Sequence, residues 1–262
     1  MTHSILLVGL GRIGWRGFGR PDIETHYQAI RSHPFLRLVG GVDINQTTRI
    51  EFQEDTHLPT YESLEAALDR EQPELAVLAT PPETHLALGM ILAQSVKGAI
   101  IEKPLALNVA ACDKLVTAYR GKTLIVGHQR RYEQRHRLLR AFLRSEVLGA
   151  PTNAVNTFSG DYLNNGVHAA DTLRFLVPVD VPTSIRQVAS PCFDVSVRCE
   201  RGTISLSSYG DLTPGYLSTM YDDLLRCVEE GGSPECSGED GMDAVHDALA
   251  AQELAQYKES AA

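Results

Sequence analysis

The five cysteines of this chain form no C-x-x-C pair anywhere. An odd, scattered set (Cys112, Cys192, Cys199, Cys227 and Cys236) suits neither a disulfide framework nor a thiolate zinc site, so no metal is expected and a reducing compartment is. Basic charge is also scarce. With a net charge of −9 and no basic stripe, the chain is a poor partner for nucleic acid or an anionic membrane. Long apolar runs are missing too. "MTHSILLVGLG" has no basic lead, and glycine ends its apolar run after about five residues, too few for a signal peptide or a membrane span. A cytoplasmic protein is expected. Repeats, low-complexity tracts and long linkers are absent as well. What is present is ordinary for a soluble globular protein: 43% hydrophobic and 22% charged residues over 262 positions, enough for one to two domains.

The first half alternates short β-branched runs with helical patterns. "SILLVGLG", "LRLVGGVD" (36–43), "ELAVLAT" (74–80), "GAIIEKP" (98–104) and "TLIVGHQ" (123–129) read as strands. Between them, "YESLEAALDR", "ETHLALGMILAQS" and "NVAACDKLVTAYR" repeat apolar residues at three- and four-residue spacing, the helical period. Apolar strands alternating with helices imply a parallel sheet covered on both faces. After residue 124 the pattern changes. "QRRYEQRHRLLRAFLRSE" is a basic amphipathic helix, read as a solvated face, and "FDVSVRCE" with "GTISLSSYG" reads as an antiparallel hairpin. A helix near 216–230 follows, then a second one started by Ser237 with Asp240 three residues on. The expected fold is α/β: a dinucleotide-binding domain over 1–124 and a small α+β domain over 125–262.

"GLGRIG" places Gly9, Gly11 and Gly14 in G-x-G-x-x-G spacing after an apolar strand, where a helix is expected to open. In that context the first glycine allows a tight turn, the second lets a pyrophosphate approach the backbone, and the third allows close packing. Arg12 and Ile13 fill the loop between them. The second strand ends at Asp43, where a carboxylate can accept from an adenosine ribose diol. Twenty-nine residues separate Gly14 from Asp43, against a usual interval of about twenty. The excess lies in "WRGFGRPDIETHYQAI", read as an inserted loop with Gly17, Gly19 and Pro21 that delays the first helix. No arginine stands beside Asp43 in the sequence, so NAD is favoured over NADP.

Three further stretches, "ATPPETH" (79–85), "EKPLALN" (102–108) and "GVHAAD" (166–171), complete a pattern with "GLGRIG", "GVD", "HQRRYE" and "SGEDGMDAV". In their order and spacing the chain resembles the Gfo/Idh/MocA oxidoreductase family. The resemblance implies a Rossmann domain followed by a domain with an open, mainly antiparallel sheet, and homo-oligomers (dimers or tetramers) built through that sheet. It also implies NAD(P)-dependent oxidation or reduction of a sugar, sugar nucleotide, cyclitol or related carbonyl compound. Lys103 would lie beside the reacting carbon, where an ammonium steadies an alkoxide-like oxygen. Glu102 would orient that loop, and Thr80 and Pro81 would wall the nicotinamide ribose. His85 is grouped with these cofactor-side residues, though as a first-turn helix residue and not a catalyst. His168 would exchange a proton with the substrate hydroxyl. Asp171 takes a structural role. Among Arg130, Arg131 and Tyr132, which match a stretch lining the cleft, Arg131 and Tyr132 are expected at the substrate together with Asn165 and with Asn164, which is also grouped with Lys103 and His168 as catalytic.

Two departures stand out. Many members carry D-x-G-x-H where this chain has Asn164-Asn165-Gly166-Val167-His168, and an amide cannot share a proton as a carboxylate does. One helical turn would still set Asn164 beside His168. The stretch between Asp171 and the closing helices is also short, which implies a smaller second sheet. Two alternatives to the sugar dehydrogenase therefore stay open: a reductase of imines or conjugated systems, and a non-catalytic NAD-binding sensor or subunit.

Overall fold

In β1 (His3–Val8) four consecutive side chains, Ile5 to Val8, are buried. A strand apolar on both faces needs cover on both, which helices flanking a parallel sheet provide. The computed structural model describes residues 2–19, 23–208 and 212–260. From β1 the chain runs through α1 (His26–Ser32), β2 (Leu36–Val42), α2 (Gln46–Thr56), β3 (Thr60–Tyr61) and α3 (Leu64–Glu71). It continues through β4 (Leu75–Leu78), α4 (His85–Ser95), β5 (Gly98–Ile101), α5 (Val109–Ala118) and β6 (Thr123–Val126). The six strands are parallel in the order β3-β2-β1-β4-β5-β6. Strand order reverses between β1 and β4, which opens a crevice at their C-terminal ends.

Register decides what lines that crevice. Val8 pairs with Val42 and Leu78, Leu78 with Ile101, and Ile101 with Val126. The residues just beyond (Gly9, Asp43, Ala79, Glu102 and Gly127) therefore share one edge of the sheet. Helix starts are set by side-chain caps: Thr25 and Gln28 form a reciprocal box on α1, and Asn45, Ser63 and Asn108 cap α2, α3 and α5.

The glycine loop departs from expectation. It opens one π-helical turn, Arg12–Arg16, ended by Gly17 at φ 74°, and the first α-helix starts only at His26. The delay matches the long interval before Asp43, although Pro21 lies outside the described residues. β3 is two residues long and carries no periodic signal.

The second sheet is built from β7 (Pro151–Ser159), β8 (Thr183–Val188), β9 (Phe193–Cys199) and β10 (Gly202–Ser207), in the order β10-β9-β7-β8. The β9–β10 and β7–β9 pairs are antiparallel and β7–β8 is parallel. Helices α6 (Gln134–Arg144) and α7 (Val167–Leu176) pack Leu139, Leu143, Leu173 and Leu176 against Ala154, Val195 and Val197. Helices α8 (Tyr216–Glu230) and α9 (Gly238–Ser260) then return to the first sheet. Tyr216, Met220, Tyr221 and Leu224 share its core with Ile100 and Ile125, and Ser237 bridges to Ile125. The 124/125 division thus falls inside β6. Ser237 and Asp240 cap α9 reciprocally through main-chain and hydroxyl bonds. Among the described residues no helix is long and apolar enough to cross a membrane.

Candidate active site

Gly9 has φ +97°, and a Cβ there would meet the Ala79 carbonyl carbon at 2.6 Å. A Cβ on Gly14 would sit 2.1 Å from the Gly9 carbonyl oxygen. Both glycines are therefore demanded by the fold. Gly11 is different, because a Cβ there meets nothing within 4 Å. Space above an exposed backbone in this loop is what a pyrophosphate needs. The Asp43 carboxylate accepts from the amides of Leu10 (2.9 Å) and Asn45 (2.9 Å), which fixes it beside the loop. An arginine does come near in space. Arg49 donates to the carbonyls of Asp43 (2.7 Å) and Ile44 (3.0 Å) and pairs with Glu62.

Next to the loop lies a cleft of about 360 Å³, lined by Ile13, Thr80, Glu102, Lys103, Asn164, Asn165 and His168, and by Gln129, Arg130 and Tyr216. Lys103 sits just past β5. Its Nζ donates to the Asn164 Oδ1 (2.5 Å) and main-chain oxygen (3.1 Å). The side chain is partly accessible through the cleft mouth, yet burial of the ammonium pulls its pKa below the ordinary lysine range, against the opposing charge of Glu102. Burial alone would raise the Glu102 carboxyl; the hydrogen bond from His26 (3.1 Å) and the nearby charges bring it below its usual range. His26 in turn meets the Tyr221 hydroxyl at 2.8 Å, so α1, β5 and α8 are joined behind Lys103. The Glu24 carboxylate takes main-chain amides of Leu217 and Gly215 at the start of α8, which brings Tyr216 to the cleft.

His168 follows a π-helical turn, Tyr162–Gly166, that runs directly into α7. This turn upsets the simple spacing argument: Asn164 engages Lys103, and among the described residues no hydrogen bond joins it to His168. The His168 ring is edge-on to His128, centroids 5.4 Å apart. Burial first, then the charges of Lys103 and Arg130, hold its pKa well below the usual histidine value. The ring is therefore neutral and free to accept a proton.

Other expected site residues are elsewhere. His85 is fully buried, and its ring nitrogens lie 2.9 Å from the carbonyls of Thr80 and Pro104; it ties two strand-end loops together and does not face the cleft. Arg131, 5% exposed, binds Asp171 (2.8 Å), Asp240 (3.0 Å) and the Glu235 carbonyl, and buried Tyr132 donates to Asp223. Both are engaged at the junction between the sheets. Asn165 lines the cleft but spends its amide on the Ser159 carbonyl. Arg12 and Pro81 are exposed. Arg130, named only as one of three candidates, is the arginine that lines the cleft, and Tyr216 carries no local sequence signal for its place there.

Residues 4–129 match the model of the Gfo/Idh/MocA oxidoreductase family, described as an NAD-binding Rossmann fold. Over those residues the chain carries the NAD-binding Rossmann unit of the Gfo/Idh/MocA family. It is 30% identical over 213 residues to a putative UDP-kanosamine synthase oxidoreductase subunit of Amycolatopsis mediterranei, covering 74% of this chain and 57% of that one. It is 26% identical over 216 residues to an inositol 2-dehydrogenase of Rhizobium meliloti, covering 75% and 61%. The chain thus spans about three-fifths of the length of these family members. In three dimensions it resembles the myo-inositol dehydrogenase of Lactobacillus casei solved with NAD(H) and myo-inositol, with a TM-score of 0.77, 17% identity, and coverage of 98% of this chain and 95% of that one. At that identity the likeness speaks for the fold alone.

Proposed function

We propose that the protein is an NAD-dependent oxidoreductase that moves a hydride between a nicotinamide and a hydroxyl or ketone of a sugar, sugar nucleotide or cyclitol-like substrate. The observation that carries this reading is the meeting of Lys103, Asn164 and His168 in one cleft that opens beside the glycine loop. Two relatives named for an inositol and for a UDP-sugar support the substrate class. A dinucleotide bound along Gly9, Gly11 and Gly14 supplies the hydride donor or acceptor. The chain's own residues do the rest. The Lys103 ammonium, steered by Asn164, donates to the reacting oxygen and steadies its developing charge. Neutral His168 takes the hydroxyl proton in the oxidative direction and returns it in the reductive one. Asp43 favours a ribose diol over a 2′-phosphate, because the guanidinium nearby, Arg49, is already held by two carbonyls and Glu62. A cytoplasmic homo-oligomer, dimer or tetramer, completes the reading and is checked by sedimentation.

The test uses purified protein with NAD+ or NADH and a panel of cyclitols, sugars and UDP-sugars, read by the absorbance of reduced nicotinamide. Lys103→Ala is expected to cut kcat by about a thousandfold, with NADH affinity unchanged. Unaffected turnover in that variant removes the assigned lysine role, and tighter binding of NADPH than NADH removes the Asp43 argument.

A further inference from the structure

The inserted stretch between the glycine loop and α1 takes no part in hydride or proton transfer, yet it reaches the cleft. Phe18, 43% exposed, and half-buried Ile23 line the same volume as Lys103 and His168. Both flanks of the stretch are fastened to the protein. Before it, the Trp15 ring packs edge-on to Phe52, centroids 5.3 Å apart, and donates to Asp55. Arg16 donates to Thr48 and Glu51. After it, Glu24 takes the amides at the start of α8, and Thr25 caps α1. Gly17 (φ 74°) and Gly19 (φ 68°) turn the chain on either side of Phe18, in conformations that residues with a Cβ disfavour. A phenyl ring with no polar group is thus presented to a polar cleft.

Two chemically different sets of side chains bound the cleft: Phe18, Ile23 and Leu212 are apolar, whereas Lys103, Asn164 and His168 are polar. A nicotinamide is expected where strand order reverses, beside the ends of β1 and β4. Phe18 lies beyond the π-helical turn that ends at Arg16, which leaves its ring to the substrate. A six-membered sugar or cyclitol ring is polar around its edge, where equatorial hydroxyls project, and apolar on its two C–H faces. An aromatic ring covers such a face and removes it from water without needing a hydrogen bond. An axial hydroxyl on that face would lose its water against the phenyl ring and gain no partner. We infer that Phe18 is the platform on which the substrate ring stacks, and that it selects rings with at least one face bare of axial hydroxyls. The inference rests on the hydride-transfer reading above for the word substrate, but stacking itself needs no turnover. A ring laid on Phe18 keeps its edge hydroxyls for Lys103, Asn164 and His168.

The experiment measures binding first. Wild type, Phe18→Ala and Phe18→Trp are titrated calorimetrically in saturating NADH, where alcohols bind without turning over. The probes are scyllo-inositol and methyl β-D-glucopyranoside, whose ring faces carry no axial hydroxyl, against D-chiro-inositol and methyl β-D-gulopyranoside, which carry one on each face. In at least one pair the bare-faced ring is expected to bind about tenfold tighter, the worth of covering an exposed phenyl ring. Phe18→Ala is expected to abolish that preference, with the melting temperature and the NADH affinity of wild type, because the side chain is exposed and lies beyond the glycine loop. Phe18→Trp keeps an aromatic face and is expected to retain the preference. A preference intact in Phe18→Ala, a parallel fall in NADH affinity, or no saturable binding of either bare-faced ring each overturns the inference. Turnover of a probe with NAD+ and an unchanged KM in Phe18→Ala would leave the hydride-transfer reading standing and remove only the platform. Phe18-dependent binding without turnover of any probe would support the platform and count against hydride transfer.

Discussion

Single residues in the glycine loop and cleft make separable predictions. Gly11→Ala places a methyl group in open space, so its melting temperature is expected to match wild type while NADH affinity falls by about tenfold. Gly14→Ala drives a methyl into the Gly9 carbonyl and is expected to lower the melting temperature before any cofactor effect is read. Equal behaviour of the two in calorimetry and NADH titration would sink the division of labour. Asn164 tests the electrostatics of the cleft. Its Oδ1 is 2.5 Å from the Lys103 Nζ, so Asn164→Asp adds an opposite charge in contact with an ammonium whose pKa burial has lowered. The charged form is then favoured and the lysine pKa rises. Since the ammonium is the active form, the alkaline limb of kcat/KM is expected to move to higher pH. A limb that stays put or moves down would show that Lys103 does not set it.

At the scale of elements, the delayed start of α1 has a structural use. The helix brings buried His26 under Glu102 at the cleft floor and against buried Tyr221. His26→Ala strips a hydrogen-bond partner from a buried carboxylate and a buried phenol, a loss of about 1–3 kcal/mol. A fall of that size in chemical denaturation is expected, with a raised Glu102 pKa. Much of this level was readable beforehand, and for a physical reason. Strands buried on both faces are continuous apolar runs, and glycines forced by close backbone contact leave a fixed spacing. Other features left no trace in spacing. Neighbouring Arg130 and Arg131 sit on one short turn, yet one stacks on Phe193 in the cleft while the other is drawn to Asp171 and Asp240. Only the position of partners far along the chain separates them. The same holds for Asn164, which a π-helical turn hands to Lys103, and for Tyr216, which reaches the cleft because α8 returns to the first sheet.

Across the whole molecule, the two sheets meet over a layer of buried histidines. His128, His136 and His168 are 0%, 0% and 6% exposed, and burial is the leading cause lowering the pKa of each from the ordinary 6.5. The sign of the linkage follows. Once pH falls below about 6.5, an unfolded chain protonates these rings while the folded one resists, so the unfolded state binds more protons and folding weakens. Glu133, pinned by its bond to His136 and held well below the usual carboxylate range despite its burial, is still ionised there and does not mask the effect. Denaturation midpoints are expected to drop steadily from pH 7 to pH 5, and more gently in His128→Gln, which removes one of the three protonation sites. The ring of His128 has no hydrogen-bond partner among the described residues, so that substitution takes away a titrating group without breaking a bond. A flat profile over this range, or an identical slope in the variant, would mean that the folded protein protonates these rings as readily as the unfolded chain does. It would also count against a neutral His168 as the proton acceptor.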